Sequence, residues 1–211
     1  MALAETQALL ARLFTDDDLR REFFEAPIAV SARFGLSADD AQRLAALDRR
    51  ETEAFAQSLI GKRMLYARKA LPLTARALAD RFDALLCEAI RGRASDGTLR
   101  ADSAALVALL ERRIAQRDLA PVWILDLARF ELAFIEAGGS GPALIFRRFD
   151  FAIAAIAASL GKDEDVNAMR RRTIGVWVRL PRGRLRWRLF TRQITLPQIT
   201  SSLGGRVQKG E

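Results

Sequence analysis

The residue types that could do chemistry in this chain of 211 residues are few, and one is missing altogether: there is no histidine. That removes Ser-His and Cys-His nucleophiles and any imidazole ligand for zinc or non-haem iron. The acids that cluster in sequence do so at positions with simpler uses. "TDDD" (Thr15 to Asp18) reads as a capping box, with Thr15 as the cap and Asp18 at the third helical position. "GKDED" (Gly161 to Asp165) reads as a solvated loop. The single cysteine, Cys87, sits in "RFDALLCEAI" as a small helical core residue; it excludes an internal disulfide and fits a reducing cytoplasm. No cofactor, no bound metal and no independent catalysis are expected.

What remains is arginine. "IGVWVRLPRGRLRWRLF" (Ile174 to Phe190) reads as a hairpin with a basic residue at almost every second position. The segment from Ile145 to Glu211 holds 14 Lys/Arg against five Asp/Glu, and the rest of the chain holds 20 against 21. The net charge of +8 therefore belongs to the C-terminal third, whose partner should be acidic. On period-two alternation, Val176, Val178 and Leu180 share one face of the first strand, and Leu185, Trp187 and Leu189 one face of the second. The two sets face the same way if Leu180 lies opposite Leu185, through a two- or four-residue connection. Trp177 then opposes Arg188, and Arg179 opposes Arg186, a like-charge pair costing up to about 1 kcal/mol. Such a face either keeps a sheet polar against aggregation or awaits an anion.

The elements that must carry this hairpin are helical for two-thirds of the chain, by apolar spacing and by punctuation. The helices run from Ala2 to Phe14, from the Thr15 cap to Glu25, and from Pro27 to Gly35. Ser37 with Asp40, and Asp48 with Glu51, open the next two. Pro72 begins one continuous helix, "PLTARALADRFDALLCEAI". The loop "GRASDGTLRAD" leads to a helix capped by Ser103, and Pro121 starts "PVWILDLARFELAFIEA", closed by "GGSG". "PALIFRRF" is a strand, and Asp150 caps the helix "FAIAAIAASLG". The fold class is α+β, mainly α: a multi-helix domain over 1–141, a small strand-helix-hairpin (βαββ) domain over 142–190, and a polar, partly disordered tail over 191–211. No apolar run is long enough to span a membrane and no signal peptide is apparent.

"FAQSLIGKRMLYARKALPLTARALADRFDALL" followed by "LAPVWILDLARFELAF", "FRRFDFAIAAI" and "VWVRLPRGRLRWRL" resembles, over nearly the whole chain, the accessory proteins of multinuclear non-haem iron-dependent oxidases, including those of bufferin-type RiPP pathways. The helical part of such proteins is often labelled DNA-binding. The resemblance implies a non-catalytic partner that forms a heterodimer with the oxidase, which supplies the iron, and helps capture an acidic precursor peptide. Strand addition at the hairpin would give affinity, with Arg179, Arg184, Arg186 and Arg188 meeting leader carboxylates and Trp177 beside them. Lys62, Tyr66 and Lys69 fall on one helical face, suited to an anion, to the oxidase, or to solvent alone. Asp126 of "DLARFE" is expected in a structural ion pair with Arg76 or Arg129. The competing reading is nucleic-acid binding by the basic C-terminal third, with Trp177 and Trp187 as stacking faces.

Overall fold

The computed structural model describes residues 2–91, 98–138 and 141–191. Most of the expected tail (192–211), part of the loop before Leu99 and part of "GGSG" lie outside the described residues. The fold is α+β and mainly α. The helices are α1 (Ala2–Leu13), α2 (Asp17–Glu25), α3 (Pro27–Arg33), α4 (Ala38–Ala45), α5 (Arg49–Ala70), α6 (Pro72–Leu78), α7 (Arg81–Ile90), α8 (Leu99–Ala115) and α9 (Trp123–Gly138). Then come β1 (Leu144–Phe151), α10 (Ile153–Gly161), β2 (Arg170–Arg179) and β3 (Leu185–Thr191). None of these helices is long and apolar enough to cross a membrane.

Several helix starts follow from local chemistry. Ser37 accepts the Asp40 N–H at 3.2 Å, and Asp48 accepts the Glu51 N–H at 2.8 Å. Pro27 and Pro72 open α3 and α6, where a missing N–H costs nothing. Other starts differ from expectation. Asp16, not Thr15, caps α2: its carboxylate takes the Leu19 N–H at 3.0 Å, while the Thr15 hydroxyl donates back to Ala11 O at the end of α1. That N–H, and secondarily Arg12, hold the Asp16 carboxyl below its ordinary range against partial burial. Thr98, not Ser103, caps α8; Ser103 is buried one turn inside and donates to Leu99 O at 2.8 Å. Asp150 caps nothing, because it belongs to β1 and α10 starts from Ala152 without a side-chain cap.

The helix expected to run unbroken from Pro72 breaks at Ala79 (φ 48°, ψ −125°). The break lets one apolar run serve two neighbours, since α6 packs on α9 and α10 while α7 packs on α8. Leu78 and Phe82, on either side of the break, are both buried.

Three clusters of buried side chains result. Leu9, Leu13, Phe23, Val30, Leu36 and Leu44 join α1 to α4. Leu71, Leu78, Phe82, Leu86, Leu106 and Leu110 form the central cluster, completed by Ile124, Ala128 and Leu132 of α9. The third joins Leu127, Phe130, Ala133 and Ala137 of α9 to Ile145, Phe149, Ile153, Ile156 and Trp177. Helix α9 is thus apolar on two sides: an i, i+4 row faces the helices and an i, i+3 row faces the sheet.

The sheet is antiparallel in the order β1-β2-β3. Its inner rows are Ile145–Trp177–Trp187, Arg147–Gly175–Leu189 and Phe149–Thr173–Thr191. Its outer rows are Leu144–Val178–Arg186, Phe146–Val176–Arg188 and Arg148–Ile174–Phe190. The hairpin register is therefore one residue away from the expected one. Leu180 N–H donates to Arg184 O at 2.8 Å, leaving a three-residue connection, Pro181–Gly183, with positive φ at Arg182 (66°) and Gly183 (74°). An odd-numbered loop turns Val176 and Val178 outward and Trp177 inward.

The physical reason is area. The indole buries more apolar surface than either valine, and it lands among the rings of Phe130, Phe134 and Phe149 at centroid distances of 5.9, 5.6 and 6.3 Å. Gly175 makes room for it: a Cβ there would lie 2.4 Å from the Trp177 ring.

Candidate functional site

The outer face of the sheet holds the residues that the fold leaves without internal work. Leu144, Phe146, Ile174 and Phe190 are each at least 45% exposed on it. Among them stand Arg148, Arg186 and Arg188, none of which makes an ion pair with any described residue. Like charges do not face each other across the ladder as expected: Arg186 lies opposite Val178, and Arg188 opposite Val176. Each guanidinium stem can therefore lie along an apolar neighbour while its head stays in water. Val176, Val178, Arg186, Arg188, Phe190 and the edge of Trp187 bound a hollow of about 370 Å³ along β3. Among the described residues, strand β3 is paired on its β2 side only.

The predicted anion-binding residues are thus divided. Arg186 and Arg188 lie together on the outer face, and Arg184 precedes them in extended, exposed backbone. Arg179 does not join them. It lies on the opposite face, half buried, with its guanidinium donating to Gly141 O and its N–H to Ala143 O at 2.7 Å. Its work is to fasten the entry of β1. Trp177 is 0% exposed and offers no face to a ligand, so its place is the core rather than a binding surface. Trp187 is 47% exposed, but its ring packs on Phe130 and Phe134 at 5.9 and 5.3 Å. Arg148 was not anticipated; the alternation Phe146–Arg148 in "FRRF" carries the signal that it shares a face with the hairpin arginines.

Asp126 makes no ion pair with Arg76 or Arg129. Arg129 binds Glu111 at 2.7 Å, and Arg76 binds Asp163 at 2.7 Å and the Leu160 carbonyl. One oxygen of Asp126 instead accepts the Asp150 N–H at 2.6 Å and the Phe151 N–H at 3.2 Å. These two donors lie where β1 and β2 lose register between Phe149 and Phe151. A bulge frees backbone groups from the ladder, and a buried carboxylate from α9 satisfies them here. Burial pushes the Asp126 carboxyl above its ordinary range, against the pull of the two N–H groups.

The sign of its effect on stability follows. A carboxyl with a raised folded-state pKa holds its proton in the native state after the unfolded state has lost it. Stability therefore falls as pH rises from about 4 through the folded-state value. The stability difference between wild type and Asp126→Asn, read from urea unfolding at a series of pH values, is expected to shift in favour of wild type as pH falls through that window. A pH-independent difference would contradict this.

Lys62, Tyr66 and Lys69 are all exposed on α5, outside the sheet. Lys62 and Tyr66 line a separate cavity with Arg63 and Asp102, whereas Lys69 does not. Cys87 is partly buried, with its Sγ 3.7 Å from Met64 Sδ, and burial pushes its thiol pKa up, away from nucleophilic use. Among the described residues, no three Cys, Asp or Glu are placed to hold a metal ion. Comparison of the chain with protein-family models, with curated proteins and with solved structures finds no match in any of the three.

Proposed function

We propose that this chain is a non-catalytic, cytoplasmic partner of a multinuclear non-haem iron oxidase, and that the outer face and free edge of its sheet hold an acidic precursor peptide for modification. The oxidase supplies the iron, and the two chains work as a heterodimer. The observation that carries the peptide reading is the unneutralised trio Arg148, Arg186 and Arg188 set among exposed apolar side chains beside an open strand edge. A strand added to β3 would supply backbone hydrogen bonds, and its alternate residues would meet the outer face. Arg186 and Arg188 are two residues apart on one strand, a spacing of about 7 Å. Carboxylates at i and i+2 of an extended peptide repeat at the same interval.

The chain's own C-terminus is a poor match for this face. Residues 192–211 hold three basic residues and one acid, so that segment brings no net negative charge to the arginines.

The test is the affinity of a fluorescently labelled acidic leader for wild type and for the Arg186→Glu/Arg188→Glu double variant. A loss of at least tenfold is expected, about 1.4 kcal/mol, shrinking as salt rises. The fold should be unaffected, because exposed substitutions usually move stability by about 0.5 kcal/mol or less. Unchanged affinity in the folded variant removes this face from the site. Random duplex DNA should bind weakly at physiological salt. Nanomolar binding of a particular duplex, with no preference for the native leader over a scrambled one, would favour the nucleic-acid reading instead.

A further inference from the structure

The cavity on α5 has the makings of a second site, unrelated to the sheet. It measures about 380 Å³, within the range of small-molecule pockets. Phe14 from the end of α1, Leu59 and Ile60 from α5, and Leu99 from the start of α8 give it apolar walls. Two charged residues of the wall pair with each other: Arg63 holds Asp102 through Nε–Oδ2 at 2.9 Å and Nη2–Oδ1 at 2.6 Å, both side chains about nine-tenths buried. Lys62 and Tyr66 differ from that pair. Both are exposed at the cavity, and neither the ammonium nor the phenol hydroxyl has a partner among the described residues. Among the described lining residues the formal charge is therefore +1, contributed by Lys62 once Arg63 and Asp102 cancel.

We propose that this cavity binds an alkyl carboxylate of medium chain length. The chain would lie against Phe14, Leu59, Ile60 and Leu99, and the anionic head would meet Lys62 and the Tyr66 hydroxyl. An uncharged alkane leaves the ammonium without a complement, and an alkyl cation meets like charge. A fully hydrophilic anion gains nothing from the walls. Only a molecule with both parts uses both features of the site.

Tyr66 is the sole tyrosine of the chain, so its ring resonances report on this cavity and nowhere else. The full chain is titrated with sodium decanoate below its micellar concentration, and the Tyr66 ring is followed by carbon–proton correlation NMR. A saturable shift is expected. Octanoate should bind roughly tenfold more weakly, since two methylenes are lost from the walls. Lys62→Gln should weaken decanoate about fivefold, less so at high salt. Dodecyltrimethylammonium should not compete. Leu99→Glu, at a residue 36% exposed, should abolish binding; if that variant does not fold, the chain-length series and Lys62→Gln still decide. The proposal fails if no saturable Tyr66 shift occurs, or if Lys62→Gln and wild type bind decanoate equally. It also fails if the chain binds only vesicles of anionic phospholipid and not monomeric decanoate.

Discussion

Trp177→Ala is expected to cost about 3–5 kcal/mol, the range for emptying a fully buried aromatic site, and so to remove much of a typical domain's stability of about 5–15 kcal/mol. The indole is enclosed by Phe130, Phe134 and Phe149 and lies directly over Gly175, which has no side chain to fill the hole it would leave. Chemical denaturation with tryptophan and far-UV readouts measures the loss. The comparison that makes it decisive is Val176→Ala, on the outer face of the same strand and only half buried. That change should cost well under half as much. In the register that the valine alternation suggests, the order would be reversed. A cheap Trp177→Ala beside an expensive Val176→Ala would show that β2 faces the other way.

The second large effect is expected at Glu131, which the sequence shows only as the last letter of "DLARFE". Its carboxylate is buried, and it caps α6 from another helix. One oxygen accepts the Leu73 N–H at 2.8 Å; the other accepts the Thr74 N–H at 2.8 Å and the Thr74 hydroxyl at 2.6 Å. Leu71, at the local cap position, offers no side-chain bond of its own. Burial raises the Glu131 carboxyl above its ordinary range, and Thr74 together with the two N–H groups pulls it back down. Glu131→Ala strands three donors, two of them buried and one part-buried, each worth about 1–3 kcal/mol when left unmade, so a loss of at least about 3 kcal/mol is expected. Glu131→Gln should fall between, because its amide keeps one acceptor oxygen but turns N–H toward a donor. Equilibrium unfolding of the two variants at neutral pH tests this ordering. A loss below about 1 kcal/mol for alanine would mean that water replaces the carboxylate and that α6 does not depend on it.

These two residues mark the boundary of what was legible in the chain. Caps at Ser37 and Asp48, and the proline starts at Pro27 and Pro72, were readable because donor and acceptor lie three residues apart or because the constraint sits in one residue. Glu131 meets Thr74 across 57 residues, and Asp126 meets Asp150 across 24, so neither pairing leaves a local trace. The hairpin failed for a different reason. Both parities of β2 carry apolar residues, Ile174, Val176 and Val178 on one and Trp177 on the other, so alternation alone could not choose. Ring partners on α9 broke the tie. Gly175 was the available clue, since a glycine inside a strand marks close approach of another group. The same slip moved Arg179 and Trp177 out of the candidate site and brought Arg148 into it, leaving Arg186 and Arg188 as its centre.

The most direct measurement of the central claim is amide hydrogen exchange of the full chain, free and saturated with the acidic leader peptide. Strand addition predicts new protection along β3, from Leu185 to Thr191, because edge amides that exchange with water become hydrogen-bonded to the added strand. Protection in α9 and β1 should change little. Unaltered exchange across β3 at saturating peptide, with protection appearing elsewhere in the chain, would contradict the account.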